Sequence, residues 1–268
     1  MANRIWAHLF GRGLVGTVDN FGITGTKPAQ PELLDHLAVR FVETGWSMKK
    51  FIRALMLSHT YRLGSDANSR GNEIDPTDDH HWRMAPRRLE MEALRDSLLQ
   101  LQGVLTFDRP GGIQVAGTGG KGNAGRTTSL LGTESPYRTI YLPVLRDLLP
   151  EMHETWDFPN PTQIKGQRDV TTVPSQGLFI MNNRLVVETA RAVAERLVKD
   201  KSLNSDEMRV QHAYRLLFSR APEVDEIQAA VAMMKSLETS SNEKDAAVYR
   251  LAALVQAMLG CAEFRYAM

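Results

Sequence analysis

Carboxylates are the side chains of this sequence best suited to acid–base chemistry. Asp19 lies among glycines near the start of the chain, and Glu90 falls in the first turn of a predicted helix. Hydrolysis of a glycosidic bond needs two carboxyl groups roughly 5 to 9.5 Å apart across a cleft. Asp19 and Glu90 are therefore the candidate catalytic residues. The other carboxylates with the same chemistry are Glu32, Asp35, Glu92, Asp96 and Asp157.

Arginines form a second set, because a guanidinium group matches the geometry of carboxylate, sulfate and phosphate. They recur beside aromatic or proline residues rather than on plainly solvated helix faces. The arginines concerned are Arg4, Arg83, Arg87, Arg88, Arg138 and Arg168.

Two interpretations of these arginines are open. In the first, they pair internally and tie an irregular insert to the helices, with Asp19, Glu90, Asp96 and Asp157 as partners. In the second, a subset stays unpaired and binds an anion such as an anionic glycan, at a site made of Arg88, Arg138, Arg168 and His8. We favour internal pairing, because charges taken out of water usually persist only when they are paired.

Two other patterns resemble ligand sites without meeting their requirements. Asp78–His81 puts four residues that can bind metals in a row, but neighbouring side chains point in different directions, and a metal needs several ligands in fixed geometry. Gly117–Thr128 is as rich in glycine as a phosphate loop, yet Lys121 is followed by glycine and no helical pattern comes after it. We expect no metal, no cofactor, and a mobile hairpin tip at Gly117–Thr128.

Charge and composition bound the class of protein. The 268 residues carry 32 Lys and Arg against 31 Asp and Glu, so no overall field attracts nucleic acid. The single cysteine, Cys261, cannot form an internal disulfide, and we expect it to be buried as free cysteines usually are. No apolar run reaches the roughly 20 residues that span a bilayer, and the first residues lack the pattern of an export signal. Aromatic and charged residues crowd the start of the sequence, so we expect it to be the C-terminal part of a longer protein.

Helices must position these side chains. Apolar residues repeat at three and four positions over seven stretches, which predicts seven helices. The stretches are 33–42, 48–59, 87–102, 185–197, 210–218, 227–234 and 248–259. Proline, glycine and threonine instead cluster over 107–174, where only 112–115 and 139–144 are candidate strands. We predict a mainly α protein of packed helical layers with an irregular, slightly β insert at about 107–174. The parts 1–106, 107–174 and 175–268 are expected to form one interlocked domain.

Glycine, serine and amide residues mark the boundaries of these elements. Gly45 and Gly103 are expected to end helices by adopting positive φ, and Ser47 to cap the helix after it. Where the insert rejoins the helices, we expect the amides of Gln176, Asn182 and Asn183 to satisfy backbone polar groups.

Several blocks of sequence also resemble one family over nearly the whole chain. The sequence is similar to the planctomycete-specific domain of unknown function 1553. This resemblance is carried by Asn3–Leu37, Gly45–Ser47, Leu57–Arg62, Trp82–Arg83, Arg87–Asp96, Tyr137–Arg138, Tyr141–Pro143, Phe158–Pro161, Arg168, Thr171–Leu178, Asn182–Asn183 and Glu263–Tyr266.

The resemblance implies a setting rather than an activity. Members of that family close multi-domain proteins, so it implies cytochrome-like and companion planctomycete domains as partners, upstream or separate, and export to the periplasm or cell surface. We therefore expect a non-catalytic structural or ligand-binding module linked to redox or polysaccharide handling. The alternative is a hydrolase that acts on an anionic glycan, with a carboxylate beside the arginines.

Overall fold

The computed structural model describes residues 1–110, 135–144, 146, 149–238 and 243–267. Over these residues the fold is mainly α, as predicted, and the seven predicted stretches all overlap helices. No helix in these ranges is both long enough and apolar enough to cross a membrane. The helices are α1 (Ala2–Phe10), α2 (Pro31–Glu43), α3 (Met48–Met56), α4 (Ser69–Ile74), α5 (Met91–Gln102), α6 (Glu151–Thr155), α7 (Pro174–Asn182), α8 (Arg184–Lys199), α9 (Asp206–Phe218), α10 (Val224–Ser236), α11 (Glu243–Gly260) and α12 (Ala262–Arg265).

The chain is organised in two compact units. The first unit is Met1–Arg87, Ile164–Arg168 and Ala267–Met268, and the second is Arg88–Gln163 and Asp169–Tyr266. The first unit is therefore discontinuous in sequence, because the chain returns to it for Ile164–Arg168 after building much of the second. The three-part division expected from the sequence stays a prediction.

Aromatic side chains form the core of the first unit. Trp6 and Phe10 of α1 stack at 4.0 Å between ring centroids, and Phe41 of α2 contacts Phe51 of α3 at 5.2 Å. The buried amide of Asn3 closes the loop after α1, since it donates to the carbonyl oxygen of Val15 at 3.0 Å and accepts from the Val15 amide at 2.9 Å. The start of the chain is thus part of a core.

The turn between α2 and α3 holds two successive residues at positive φ. Gly45 has φ +72°, which ends α2 as predicted, and Trp46 follows at φ +59°. Ser47 then caps α3 by accepting from the amide of Lys50 at 3.4 Å. The Trp46 ring lies 5.4 Å from that of Phe41, yet 65% of the residue is exposed.

The second unit is built around α8. This helix packs against both α5 and α11, and its inward residues Val186 and Val193 are fully buried. Thr189, also fully buried, donates its hydroxyl to the carbonyl oxygen of Leu98 in α5 at 3.3 Å. Gly103 ends α5 with φ +84°, as the sequence predicts.

Short β structure occurs at a different place from the expected strands. The strands β1 (Arg87–Arg88) and β2 (Tyr266–Ala267) pair with each other. Because β1 occupies the predicted start of the third helix at 87, α5 begins only at Met91. In the candidate strand 139–144, Thr139–Tyr141 forms a 3-10 turn instead. The carboxylate of Asp96 accepts from the hydroxyl of Thr139 and from its amide, and a strand ladder would need that amide free. The other candidate strand, 112–115, lies outside the described residues.

Cys261 is exposed, so the expectation that it is buried is wrong. It is the residue between α11 and α12, where the helix breaks, and not a position on the apolar stripe of α11. Its pKa is raised by partial burial and by the nearby carboxylate of Glu263.

Three charged side chains join the helices of the C-terminal part. Arg220 follows α9 and binds Glu226 of α10 through two hydrogen bonds of 2.7 Å each. It also binds Glu263 of α12 at 2.6 and 3.0 Å. The hydrogen bonds that Arg220 donates to Glu226, together with one from the amide of Glu223, lower the pKa of Glu226 to about 2.

This network predicts a stability loss in acid. Because the pKa of Glu226 is depressed from 4.5 to about 2, its contribution to stability is complete above about pH 5. That contribution disappears as the pH falls from about 4.5 towards 2. The melting temperature of the wild type should therefore converge on that of Glu226→Gln over this window. The matched control is Glu238→Gln at an exposed position outside the network, and an equal pH dependence in both variants would contradict the prediction.

Candidate functional site

Arg88 and Asp157 form a buried ion pair in the second unit. A terminal nitrogen of Arg88 lies 2.5 Å from Oδ2 of Asp157, and the two side chains are 5% and 12% exposed. The other terminal nitrogen donates to the carbonyl oxygen of Thr171. Thr171 donates in turn from its amide to Oδ2 of Asp157 at 2.9 Å and from its hydroxyl to Oδ1 at 2.8 Å. Both oxygens of this carboxylate are thus held by donors of the chain itself.

Local structure fixes the position of each member of this cluster. Arg88 belongs to β1, and Asp157 follows α6 with φ +57°, a left-handed conformation that aspartate tolerates better than most residues. Gln176 of α7 is buried and donates its amide to the carbonyl oxygens of Thr155 and Thr171 at 3.1 and 3.2 Å. The predicted role of Gln176, to satisfy backbone groups at this crossing, is confirmed.

Electrostatics keep Asp157 ionised. Burial raises its pKa, but the hydrogen bonds from Thr171 and Arg88 outweigh burial, so the pKa is lowered overall. The buried ring of Trp156 lies 5.7 Å from the guanidinium carbon of Arg88 and 5.9 Å from that of Arg265. A carboxylate with a lowered pKa and both oxygens occupied is a poor general acid at neutral pH.

A second buried cluster surrounds Arg95 of α5. This residue is 1% exposed, and one of its terminal nitrogens donates to the carbonyl oxygen of Tyr137 at 3.0 Å and to the hydroxyl of Thr139 at 3.1 Å. The other terminal nitrogen donates to the carbonyl oxygen of Ser135. Burial lowers the pKa of Arg95 to about 10, opposed by the carboxylate of Asp96, so the guanidinium stays charged at neutral pH. The cluster holds the segment around 135–141 on α5.

Sequence reasoning missed Arg95 as a key residue, although a signal was present. It stands four residues after Met91 and three before Leu98, so it shares the inward face of the helix with them. An arginine at such a position must bring its own hydrogen-bond acceptors into the core.

Arg138 also has a carboxylate partner in this unit. Its Nε lies 3.5 Å from Oδ2 of Asp96, and 44% of its side chain is exposed. The ring of Phe107 lies 6.0 Å from its guanidinium carbon. Arg138 and Arg88 therefore hold different carboxylates.

In the first unit, Asp19 lies in a loop between two internal partners. Its Oδ1 is 3.6 Å from a terminal nitrogen of Arg4, and its Oδ2 accepts from the amide of Gly166. The side chain is 47% exposed. Gly166 allows this approach because a Cβ there would lie 1.8 Å from Oδ1 of Asp19. Asp19 thus holds the returning segment Ile164–Arg168.

The remaining candidates are distributed over both units. His8 of α1 is exposed, and its carbonyl oxygen accepts from Arg87 at 2.6 Å. Arg168 is half-buried in the first unit, and Glu90 is the exposed residue that precedes α5 in the second. Neither of these two side chains is without an interaction partner. The structure therefore places Asp19, His8 and Arg168 in one unit, and Glu90, Arg88 and Arg138 in the other.

The acidic stretch considered as a metal site has structural partners. The buried carboxylate of Asp75 accepts from the amides of Asp79 and His80 at 3.0 and 2.8 Å, and that of Asp78 accepts from the amide of Trp82 at 2.9 Å. Asp79 pairs with Arg12 at 2.7 Å. Over the described ranges, no group of three or more His, Cys, Asp or Glu side chains is arranged to hold a metal ion. The glycine-rich segment Gly117–Thr128 lies outside those ranges.

Comparison with known proteins agrees with the blocks of sequence described above. The model of the family PSD1, protein of unknown function (DUF1553), matches residues 1–234. The chain belongs to the DUF1553 family. No curated protein and no solved structure matches it.

The DUF1553 match includes all the candidate residues. It begins with α1 and ends within α10, so His8, Asp19, Arg88, Arg138 and Arg168 all lie inside it, as does Glu90. The Arg88–Asp157 cluster of this DUF1553 chain is therefore part of the matched region. Membership of the DUF1553 family does not indicate an activity, because the function of the family is unknown.

Proposed function

We propose that this DUF1553 chain is a non-catalytic module, structural or ligand-binding, of an exported multi-domain protein linked to redox or polysaccharide handling. The observation that carries the proposal is the internal use of the charged side chains. Arg88 pairs with Asp157, Arg138 with Asp96, and Arg4 with Asp19. These three pairs support the internal pairing favoured from the sequence.

Hydrogen bonds from the chain itself separate Asp157 and Asp96 from the carboxylates of a reaction centre. A catalytic carboxylate must offer an oxygen or a proton to substrate, whereas both oxygens of Asp157 accept hydrogen bonds from the chain. Asp96 is engaged in the same way, since its Oδ1 accepts twice from Thr139. The two carboxylates hold loops on helices, which is a structural role.

Reducing-end release from a panel of sulfated and uronic oligosaccharides tests the proposal. The wild type and the variants Asp19→Asn and Glu90→Gln should all leave the panel unchanged, because none of these carboxylates is expected to protonate a leaving group. Turnover by the wild type that is lost in Glu90→Gln or Asp19→Asn would establish the alternative, a hydrolase that acts on an anionic glycan.

Binding of a partner domain is a second test of the proposal. If the module serves a cytochrome-like or companion domain of a longer protein, the separately produced domain should bind it stoichiometrically and raise its melting temperature. A melting temperature that no such domain changes would contradict the partner part of the proposal.

A further inference from the structure

Positive charge without carboxylates is concentrated in one stretch of the first unit. Residues 44–65 contain Lys49, Lys50, Arg53 and Arg62 and no Asp or Glu, whereas the whole chain is balanced at +1. Lys49, Lys50 and Arg53 are exposed on α3 and belong to none of the ion pairs in the part of the chain that the structure describes. Their charge is therefore available to an external anion.

Large apolar side chains are exposed beside these cations. Trp46 precedes α3, Met56 is its last residue and Leu57 follows it, and all three are exposed. Lys49, Arg53 and Met56 are spaced by four and three residues, so they form one row along the helix. We call the exposed residues of this surface the α3 face; they are Trp46, Lys49, Lys50, Arg53, Met56 and Leu57.

The conformation of Trp46 adds a second, independent observation. A bulky residue at φ +59° is strained, and an asparagine or glycine would adopt this conformation at lower cost. The ring gains contact with Phe41, yet most of it faces solvent. The Trp46 amide donates to the carbonyl oxygen of Phe41 at 3.1 Å, so the turn after α2 holds this conformation, but it leaves the ring exposed, where an external apolar phase would cover it.

We propose that the α3 face binds the surface of a lipid membrane that carries anionic headgroups. Tryptophan locates at the boundary between headgroups and acyl chains, and lysine and arginine are attracted to anionic lipids. Methionine and leucine decide between lipid and a sulfated glycan, because they bury apolar area in acyl chains but offer a sugar no hydrogen bond and no flat ring. The inference does not depend on the proposed scaffold role.

Vesicle flotation with the whole chain tests this binding. The protein should float with vesicles that contain about one-third phosphatidylglycerol and stay in solution with phosphatidylcholine alone, and added salt should weaken binding. Lipids brominated on the acyl chain should quench tryptophan fluorescence. The signal reports on Trp46, because Trp6 and Trp156 are buried and Trp82 is half-buried.

Matched variants separate the α3 face from general charge. Each cation near an anionic surface contributes roughly a five-fold gain in partitioning, so Lys49→Gln with Arg53→Gln should reduce binding about 30-fold. The control, Lys199→Gln with Lys201→Gln, removes the same charge elsewhere and should bind like the wild type. Trp46→Asn, which suits the left-handed conformation, should fold normally and lose the quenching.

Three results would overturn the proposal. They are no flotation with the anionic vesicles at low salt, an equal loss in the control variant, and binding to dextran sulfate with none to the vesicles. The last of these would assign the α3 face to an anionic polysaccharide instead.

Discussion

Asp157→Asn should lower the free energy of unfolding by about 3 kcal/mol, because it leaves the guanidinium of Arg88 buried without a carboxylate. Asparagine tolerates the positive φ of this position and keeps an acceptor for Thr171, so backbone strain and lost packing are excluded as causes. Urea denaturation followed by circular dichroism measures the change.

The control for this prediction is an exposed pair of similar length. Arg184 and Glu188 lie 2.6 Å apart, but their side chains are 74% and 44% exposed. Glu188→Gln should therefore change stability by less than about 0.5 kcal/mol. If Asp157→Asn lowers the free energy of unfolding by no more than this, the buried Arg88–Asp157 pair contributes no more to stability than an exposed pair.

A double variant and a pH series sharpen the interpretation. Arg88→Met combined with Asp157→Asn should cost less than the sum of the single changes, since no unpaired charge is left buried. The pKa of Asp157 is lowered, so its contribution is complete above its unfolded pKa of about 3.9 and is lost as the pH falls through the folded value. The difference between wild type and Asp157→Asn should thus shrink in strong acid.

Arg95→Met should be the second large change, with a loss of about 3 kcal/mol or more. Methionine is apolar and long enough to occupy the site, but the carbonyl oxygens of the half-buried residues Ser135 and Tyr137 lose their donors. Hydrogen exchange should show faster opening around 135–141 than in α8, because Arg95 holds that segment on α5.

Arg196→Met is the matched substitution for Arg95→Met. Arg196 is exposed on α8 and donates to the carbonyl oxygen of Leu101 at 3.1 Å, so the same change should cost less than about 1 kcal/mol. An equal loss of stability in the two variants, or unchanged hydrogen exchange around 135–141, would show that Arg95 does not hold that segment on α5.

The periodic parts of the fold could be predicted from the sequence, because periodicity is a local property. Helices such as α8 carry their apolar stripe in consecutive turns, and Gly45 and Gly103 mark helix ends by a conformation that glycine favours. The pair of β1 and β2 could not be found in this way, since its two-residue strands are 178 positions or more apart in sequence and too short for a pattern.

Only part of the candidate site could be predicted, because the partner of each arginine is set by turns and not by a periodic pattern. Residue types showed that arginines such as Arg88 need carboxylate partners, but not which carboxylate each one meets. The choice of Asp157 for Arg88 depends on a left-handed residue after α6, and that of Asp96 for Arg138 depends on the 3-10 turn at Thr139–Tyr141. Neither turn has a sequence signal as strong as that of a helix.

The return of Ile164–Arg168 to the first unit has a consequence for synthesis of the protein. Gly166 is translated 147 residues after its partner Asp19. At about 5 to 20 residues per second, a ribosome needs on the order of 7 to 30 s to cover that distance. The buried aromatic core of α1 to α3 contains no residue of this segment, since it is built from residues 2–55. A nascent chain of this protein therefore contains the whole of that core well before the partner of Asp19 is made.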